Sequence, residues 1–370
     1  MKVGRWLLGF IKNETVLCVA AVLAVISAFI VPPCGEYVSY IDFRTLSLLF
    51  CLMAVVAGWQ KGWVFEHIAG GVLSRVTNTR QLVCILVFLC FASSMLITND
   101  VALITFVPFC CLVLNKAKHR ELIIYTVVLQ TIAANLGSML LPVGNPQNLY
   151  LYGESGLSFA GFVRHMLPVW LCSLVLICAA IIPVKRQPIS VEPAAVPHAR
   201  KGWLYLALFV LCMGTVIGYL PYYILIVIVA VAVLIFDRDV LLRIDYLLLL
   251  TFVFFFVFIG NVKNMPQVAC ALEKIISGRE LFVGVVASQI TSNVPAAILL
   301  RGFTEDINAL LWGTNIGGLG TLIASMASLI SYKIYQQQEE HNTGKYILVF
   351  TAMNILFLII LLPVAGILIS

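Results

Sequence analysis

Nine apolar runs dominate this chain, at about 15–32, 43–59, 121–152, 162–183, 203–219, 222–236, 245–261, 306–331 and 346–369. A helix needs about 20 residues to cross roughly 30 Å of hydrocarbon, and most of the runs are close to that length. In lipid every backbone N–H and C=O must find its partner within the protein, which confines such a chain to packed transmembrane helices. Composition agrees: 62% of the 370 residues are hydrophobic and only 11% charged, where soluble domains carry about one quarter. A soluble domain is excluded, and the expected fold class is an all-α polytopic membrane protein whose constant partner is the lipid bilayer. The formal charge of +6 records loops retained on one side of the membrane and gives no reason to expect a nucleic-acid partner. The opening MKVGRWLLGFIKNETVLCVAAVLAVISAFIVPP lacks a small-x-small cleavage site and reads as an uncleaved first helix. Eleven cysteines, with no CxxC or Cys/His metal spacing, read as packing residues.

Two further apolar segments, 81–115 and 280–300, are polar at their middle. The first carries Thr98-Asn99-Asp100, and its arms, 82–97 and 101–114, would be about 21–24 Å long as helices. That is short for crossing and suits a re-entrant hairpin whose polar tip stops inside the bilayer. The second carries Thr291-Ser292-Asn293 followed by Pro295, and its residues would make either one full helix or two half-arms. A proline kink at Pro295 favours the hairpin, and so does an internal repeat. IDFRTLSLLFCLMAVVAGW (41–59) matches IDYLLLLTFVFFFVFIGNV (244–262) in its Ile-Asp-aromatic start and in Gly58 against Gly260. In both halves an amphipathic stretch, a Thr/Ser-Asn centre and an Asn-x-Gly helix follow in the same order, the last being Asn135-Leu136-Gly137 and Asn315-Ile316-Gly317.

If both odd segments return to their side of origin and the N-terminus is cytoplasmic, 17 Lys and Arg fall on the cytoplasmic side and 6 on the other. The positive-inside rule asks for such a bias. It sets the two Ile-Asp starts on opposite faces, so the repeats are inverted, with about nine transmembrane helices plus two hairpins. The expected organisation is a first repeat over 1–184 with hairpin 80–116 and a cytoplasmic linker over 185–201, VKRQPISVEPAAVPHARK beginning at Val184. A linking helix and the second repeat, with hairpin 279–301, occupy 202–370. The C-terminus is expected outside.

Inverted repeats with helices interrupted near the midplane are the pattern of secondary transporters. A broken helix leaves N–H groups unpaired at one half and C=O groups at the other, tolerable in low dielectric only where they line a cavity or hold a ligand. Asn supplies both donor and acceptor without a charge. Thr98, Asn99, Asn135, Gly137, Gly144, Asn145, Pro146 and Asn148 are the candidates for one half of a site, and Ser292, Asn293, Asn315, Gly317, Gly318 and Thr321 for the other. Their type equally suits helix–helix packing; the matching of two pairs in inverted repeats favours a site. Na⁺ is expected near Asn99, Asn145, Asn293 and Asn315, with no other metal and no organic cofactor. Asp100 is a carboxylate deep in an apolar segment, where Val294 stands in the second half. Such a group is a candidate cation ligand or proton carrier, hence the coupling residue, or else the cap of the second arm. The histidines fall near span ends or in loops, and Asp42 and Asp245 read as helix starts. No HExxH, GxGD or Ser/His pair at membrane depth points to an enzyme.

LITNDVALITFVPF (96–109), ANLGSMLLPVGNPQNLYLYG (134–153), TSNVPAAILL (291–300) and NIGGLGTLIASMASL (315–329) resemble the ion transporter superfamily. It comprises divalent anion:sodium symporters, citrate transporters, ArsB arsenite permeases and NhaD sodium/proton antiporters. The tips, Thr98-Asn99-Asp100 and Asn293-Val294-Pro295, depart from the Ser-Asn-Thr of the dicarboxylate branch and are more similar to the ArsB/NhaD side. The resemblance implies two re-entrant hairpins, a homodimer, and a transport domain moving like an elevator against a scaffold. It also implies a bacterial inner-membrane location and a chain shorter at its N-terminus than longer members. The function expected is transport of a small anion or oxyanion coupled to Na⁺ or H⁺, with Na⁺/H⁺ antiport or arsenite efflux as alternatives.

Overall fold

The structure, a computed structural model, describes residues 14–73, 76–189 and 201–369. The basic residues of the opening segment, Arg75, and most of the linker with Arg200 and His198 fall outside the described residues. Within them the fold is all-α, apart from one isolated antiparallel bridge between Asn78 and Pro188. The first half contains α1 (Thr15–Ile30), α2 (Phe43–Lys61), α3 (Val64–Leu73), α4 (Thr79–Ile97) and α5 (Asn99–Lys116). It continues with α6 (Ile123–Ser138), α7 (Pro146–Ser155) and α8 (Phe159–Ile181). Two helices, α9 (Gly202–Ile217) and α10 (Tyr222–Phe236), lead to α11 (Tyr246–Lys263). Then come α12 (Pro266–Ile276), α13 (Glu280–Thr291), α14 (Asn293–Arg301), α15 (Ile307–Ile316), α16 (Met326–Gln336) and α17 (Thr343–Ile369).

The succession α2 to α8 is repeated by α11 to α17, down to its caps. Asp42 accepts a hydrogen bond from Thr45 N at 3.0 Å and Asp245 from Leu248 N at 2.9 Å, with nearly equal backbone angles. Both occupy the N-cap, where a carboxylate satisfies an orphan donor and complements the helix dipole. Gly58 and Gly260, the matched glycines, each meet a tyrosine ring. A Cβ at Gly58 would lie 2.0 Å from Tyr205 and one at Gly260 2.2 Å from Tyr40.

Cross-links fix which ends share a face. Lys61 bonds Asp237 at 2.5 Å, Arg80 Nε donates to Val184 O at 2.8 Å, and Asn115 donates to Gln338 at 3.2 Å. Tyr125 OH donates to Ala180 O at 2.6 Å, joining the start of α6 to the end of α8. These ends form one face, the Lys61 face. On the other, Arg301 pairs with Glu154 at 3.3 Å, His165 meets Asn308 O at 3.0 Å, and Asn264 donates to Tyr40 OH at 2.8 Å.

Both ends of α4–α5 therefore lie on the Lys61 face, and the pair is a re-entrant hairpin. Its arms are longer than expected, 19 and 18 residues in place of 82–97 and 101–114. Each arm is long enough to cross; what keeps the tip within the fold is its contact with the interrupted helix α6, where Asn99 Nδ2 donates to Asn135 Oδ1 at 2.9 Å. The second segment is also a hairpin. Thr304 Oγ1 donates to Glu280 Oε1 at 2.9 Å, closing the base of α13 against the end of α14 on the Glu154 face. The turn is at Ser292, and Pro295 produces no kink: it occupies the first turn of α14, where a missing N–H goes unnoticed.

Seven described helices are long and apolar enough to cross a membrane, including both arms of the first hairpin. The expectation of about nine spans is met in another way. Helices α1, α9 and α10 have 16, 16 and 15 residues, and two spans are assembled from broken pairs, α6–α7 and α15–α16.

Candidate functional site

Each hairpin turns on one residue with a backbone that L-amino acids rarely adopt. Thr98 has φ 68° and ψ 152°, and Ser292 has φ 74° and ψ 154°. Strain of this kind costs about 1–3 kcal/mol and persists only where the surroundings over-determine it. The next residue stabilises each turn identically. Asn99 Oδ1 accepts from Asp100 N, and Asn293 Oδ1 from Val294 N, both at 3.0 Å. The tip asparagines thus have the same local job in both halves, and each is buried.

The breaks supply the other components. After α6 the chain makes a 3₁₀ turn over Pro142–Gly144 and restarts at Pro146, with Asn145 as N-cap accepting from Asn148 N at 2.8 Å. Proline at the first helical position loses no bond. After α15 the chain loops until Ser325, the N-cap residue of α16. The two breaks are stitched across the repeats. Asn135 Oδ1 accepts from Asn99 Nδ2 at 2.9 Å and from Ser325 Oγ at 3.0 Å. Conversely, Asn315 Oδ1 accepts from Asn145 Nδ2 at 3.0 Å, and Asn315 Nδ2 donates to Asn148 Oδ1 at 2.6 Å. Asn135 Nδ2 reaches Gly318 O at 3.4 Å, and Asn293 N donates to Ala324 O at 2.9 Å.

The glycines of the motifs are there for contact. A Cβ on Gly137 would lie 2.2 Å from Phe91 O, on Gly144 2.0 Å from Ser138 O, and on Gly317 2.6 Å from Ser288 Oγ. Gly318 approaches Asn293 Nδ2, at 3.0 Å from its would-be Cβ. Thr321 is exposed, its N–H donating to Gln289 Oε1 at 2.9 Å. The oxygens of Asn99, Asn145 and Asn315 each already accept one hydrogen bond, which leaves an amide carbonyl one further lone pair. Asn293 Oδ1 instead accepts from Val294 N and, at 3.5 Å, from Ser292 Oγ.

Asp100 lines a cavity of about 180 Å³ with Thr98, Asn145 and Pro146. It does not cap its arm: Oδ1 is buried without a hydrogen-bond partner. The cavity runs to Gln60, Arg243 and Asp245, residues of the Lys61 face. Its wall includes the N-terminal turns of four helices, at Asp100 of α5, Pro146 of α7, Leu248 of α11 and Met326 of α16. Helix N-termini carry the positive end of the peptide dipole and so favour negative charge, part of which Asp100 and Asp245 of the same wall already supply. The N–H groups of Asp100, Asn148 and Leu248 are bonded to the side chains of Asn99, Asn145 and Asp245.

A family model described as "Citrate transporter" matches residues 6–312. The chain belongs to the citrate transporter family. This member is 30% identical over 336 residues to an uncharacterized transporter of Methanocaldococcus jannaschii, covering 90% of this chain and 92% of that one. It is 32% identical over 305 residues to inner membrane protein YbiR of Escherichia coli, covering 80% of each. Among solved structures it is similar to the Alcanivorax borkumensis YdaH transporter, with a TM-score of 0.61 at 14% identity over 90% of this chain and 87% of that one. The likeness to YdaH is one of fold. Family and relatives make this protein a membrane transporter, not an enzyme.

Several residues of this transporter's site escape a motif reading. Ser325 follows Asn315 by the interval that separates Asn145 from Asn135, and that spacing could have revealed it. Gln289 holds the second break, donating to Gly317 O at 2.9 Å and Leu319 O at 2.8 Å. Gln130 braces the first hairpin from α6, donating to Leu86 O at 3.1 Å and Phe106 O at 3.4 Å, one in each arm. Neither glutamine belongs to a repeated motif, so no sequence signal singles it out.

Proposed function

We propose that this protein is a secondary active transporter for a small anion or oxyanion, driven by a Na⁺ or H⁺ gradient. The Lys61 face is cytoplasmic, and the hairpins and broken helices move as a unit between the two faces, as an elevator, in a homodimer. The observation that carries this reading is the convergence of four helix N-termini on one cavity, which Asn145 and Gln60 also line while Asn99, Asn135, Asn293 and Asn315 lie in the network behind it. Such a wall attracts an anion without burying a fixed cation, whose desolvation would be costly in a membrane. Asp100, with an unpartnered oxygen in that cavity, is the group that takes the coupling cation or proton.

The test is uptake into proteoliposomes, with the cargo first found by a thermal-shift screen of anions with and without Na⁺ at two pH values. Asp100→Asn is expected to uncouple uptake from the gradient, and unaltered gradient-driven uptake would remove Asp100 from the coupling role. Asn99→Ala and Asn293→Ala are each expected to abolish uptake in a protein that still folds.

The carboxylate also supports a second reading, Na⁺/H⁺ exchange with no anionic cargo. Proton movement elicited by Na⁺ alone, in vesicles free of permeant anions, separates the two.

A further inference from the structure

Resting on the anion reading above, we infer that Arg243 is the recruiting residue for the anion at the mouth of the cavity, a positioning residue outside the binding network. It ends a 3₁₀ turn, Arg238–Arg243, on the Lys61 face just before α11. Of the residues lining the cavity it alone is cationic. It is exposed, and among the described residues it forms no ion pair. Of the other cations on that face, Lys61 is held by Asp237 and Asp239, Lys201 by Asp237 and Arg120 by Glu340. Arg238 of the same turn, like Arg243, has no ion pair among the described residues, but it does not line the cavity. Two carboxylates share the cavity with it. Asp245 is tied to the N-terminus of α11 through Leu248 N, where the helix dipole offsets its charge, and Asp100 is at the far, tip end. The cation an approaching solute meets at the mouth is therefore an exposed guanidinium that forms no ion pair among the described residues, with Asp245 and Glu14 as the carboxylates nearest that rim.

Two features fit recruitment better than tight binding. An exposed side chain keeps its hydration, so it adds little affinity, while a charge at the rim of a low-dielectric cleft raises the local concentration of counter-ions and the rate of encounter. Guanidinium is also a weakly hydrated, planar donor suited to releasing a carboxylate or oxyanion inward to the amide-lined site.

The test works whichever anion is carried. Met53, an apolar lining residue, is replaced by cysteine in the full chain. Its modification by a sulfonate thiosulfonate (anionic) and a trimethylammonium thiosulfonate (cationic) is timed at that site by mass spectrometry. With Arg243 present the anionic reagent is favoured. Arg243→Gln is expected to lower the anionic-to-cationic rate ratio by about tenfold at low salt, with the effect fading as salt screens it. Arg243→Lys retains the ratio and Arg243→Glu lowers it further. A ratio unchanged by Arg243→Gln or Arg243→Glu overturns the assignment. For an anion found to be carried, Arg243→Gln raises KM and leaves kcat intact; a fall in kcat at constant KM also overturns it. If the protein instead exchanges Na⁺ for H⁺ without an anion, the reagent ratio still responds to Arg243. Failure of the transport reading and failure of this one therefore give different results.

Discussion

Asn135 and Asn315 occupy matched positions but do not carry equal loads, and replacing each by alanine measures the difference. Asn135→Ala removes the acceptor of both Asn99 Nδ2 and Ser325 Oγ, leaving two buried donors without their partners. Asn315→Ala leaves Asn148 Oδ1 with no partner but Asn145 Nδ2 half-satisfied: one N–H loses its acceptor while the other retains Ser138 Oγ at 3.1 Å. In water-soluble cores an orphaned polar group costs about 1–3 kcal/mol. In membranes the value lies nearer 1 kcal/mol, since the unfolded state also finds partners. Asn135→Ala should thus cost about 2–3 kcal/mol and Asn315→Ala about 1–2 kcal/mol. At roughly 2 °C per kcal/mol for a chain of this size, the melting temperatures fall by about 4–6 °C and 2–4 °C. The assay is thermal loss of helical ellipticity in detergent, with both variants purified alongside the parent. Equal shifts, a larger shift for Asn315→Ala, or a shift under about 1 °C for Asn135→Ala would refute this accounting.

Three other outcomes are expected. Gly137→Ala sets a methyl against Phe91 O, a backbone atom that cannot rotate away, and should reduce folded yield several-fold; Gly214→Ala, which meets nothing within 4 Å, should not. Thr98→Gly and Ser292→Gly relieve the strained turns and should leave stability unchanged or raise it by up to about 1 kcal/mol; a loss of more than that by denaturant titration would mean the turns are not strained. Burial raises the pKa of Asp237, and the hydrogen bonds from Lys61 and Tyr205 outweigh it, holding the carboxyl below its ordinary value. A depressed folded-state pKa gives stability that is present above the unfolded value, near 4, and is lost as pH falls through the folded one. Asp237→Asn should therefore destabilise at pH 7 and narrow the gap to the parent below about pH 4, as read by melting curves across pH.

Much of this architecture is legible in the sequence because lipid removes alternatives. The caps Asp42 and Asp245, the two tips and the Asn-bearing breaks all follow from where polar residues interrupt apolar runs. Arm length did not follow: polar residues at 79–81 and 115–116 continue helices beyond the apolar stretch, because the Lys61 face is wet there. Pro295 misled in detail, since sequence shows that a helix is perturbed but not which turn absorbs the missing donor. The pairing of Asn135 with Ser325 and of Asn315 with Asn145 belongs to tertiary structure. So does the meeting of four helix N-termini on one cavity, which depends on how the repeats dock.

The stitched breaks also constrain how the protein is made. Asn145 waits for Asn315, 170 positions further along, and Asn135 for Ser325, 190 positions further. At roughly 5–20 residues per second of synthesis, that delay is roughly 10–40 s. For that interval the amides of the first break are inserted into the membrane without their final partners. The nascent first repeat must keep them against its own hairpin, or against the insertion machinery, until the second repeat arrives. Loss of a partner in the second repeat would then lower yield by degradation of the newborn chain before it altered any transport rate.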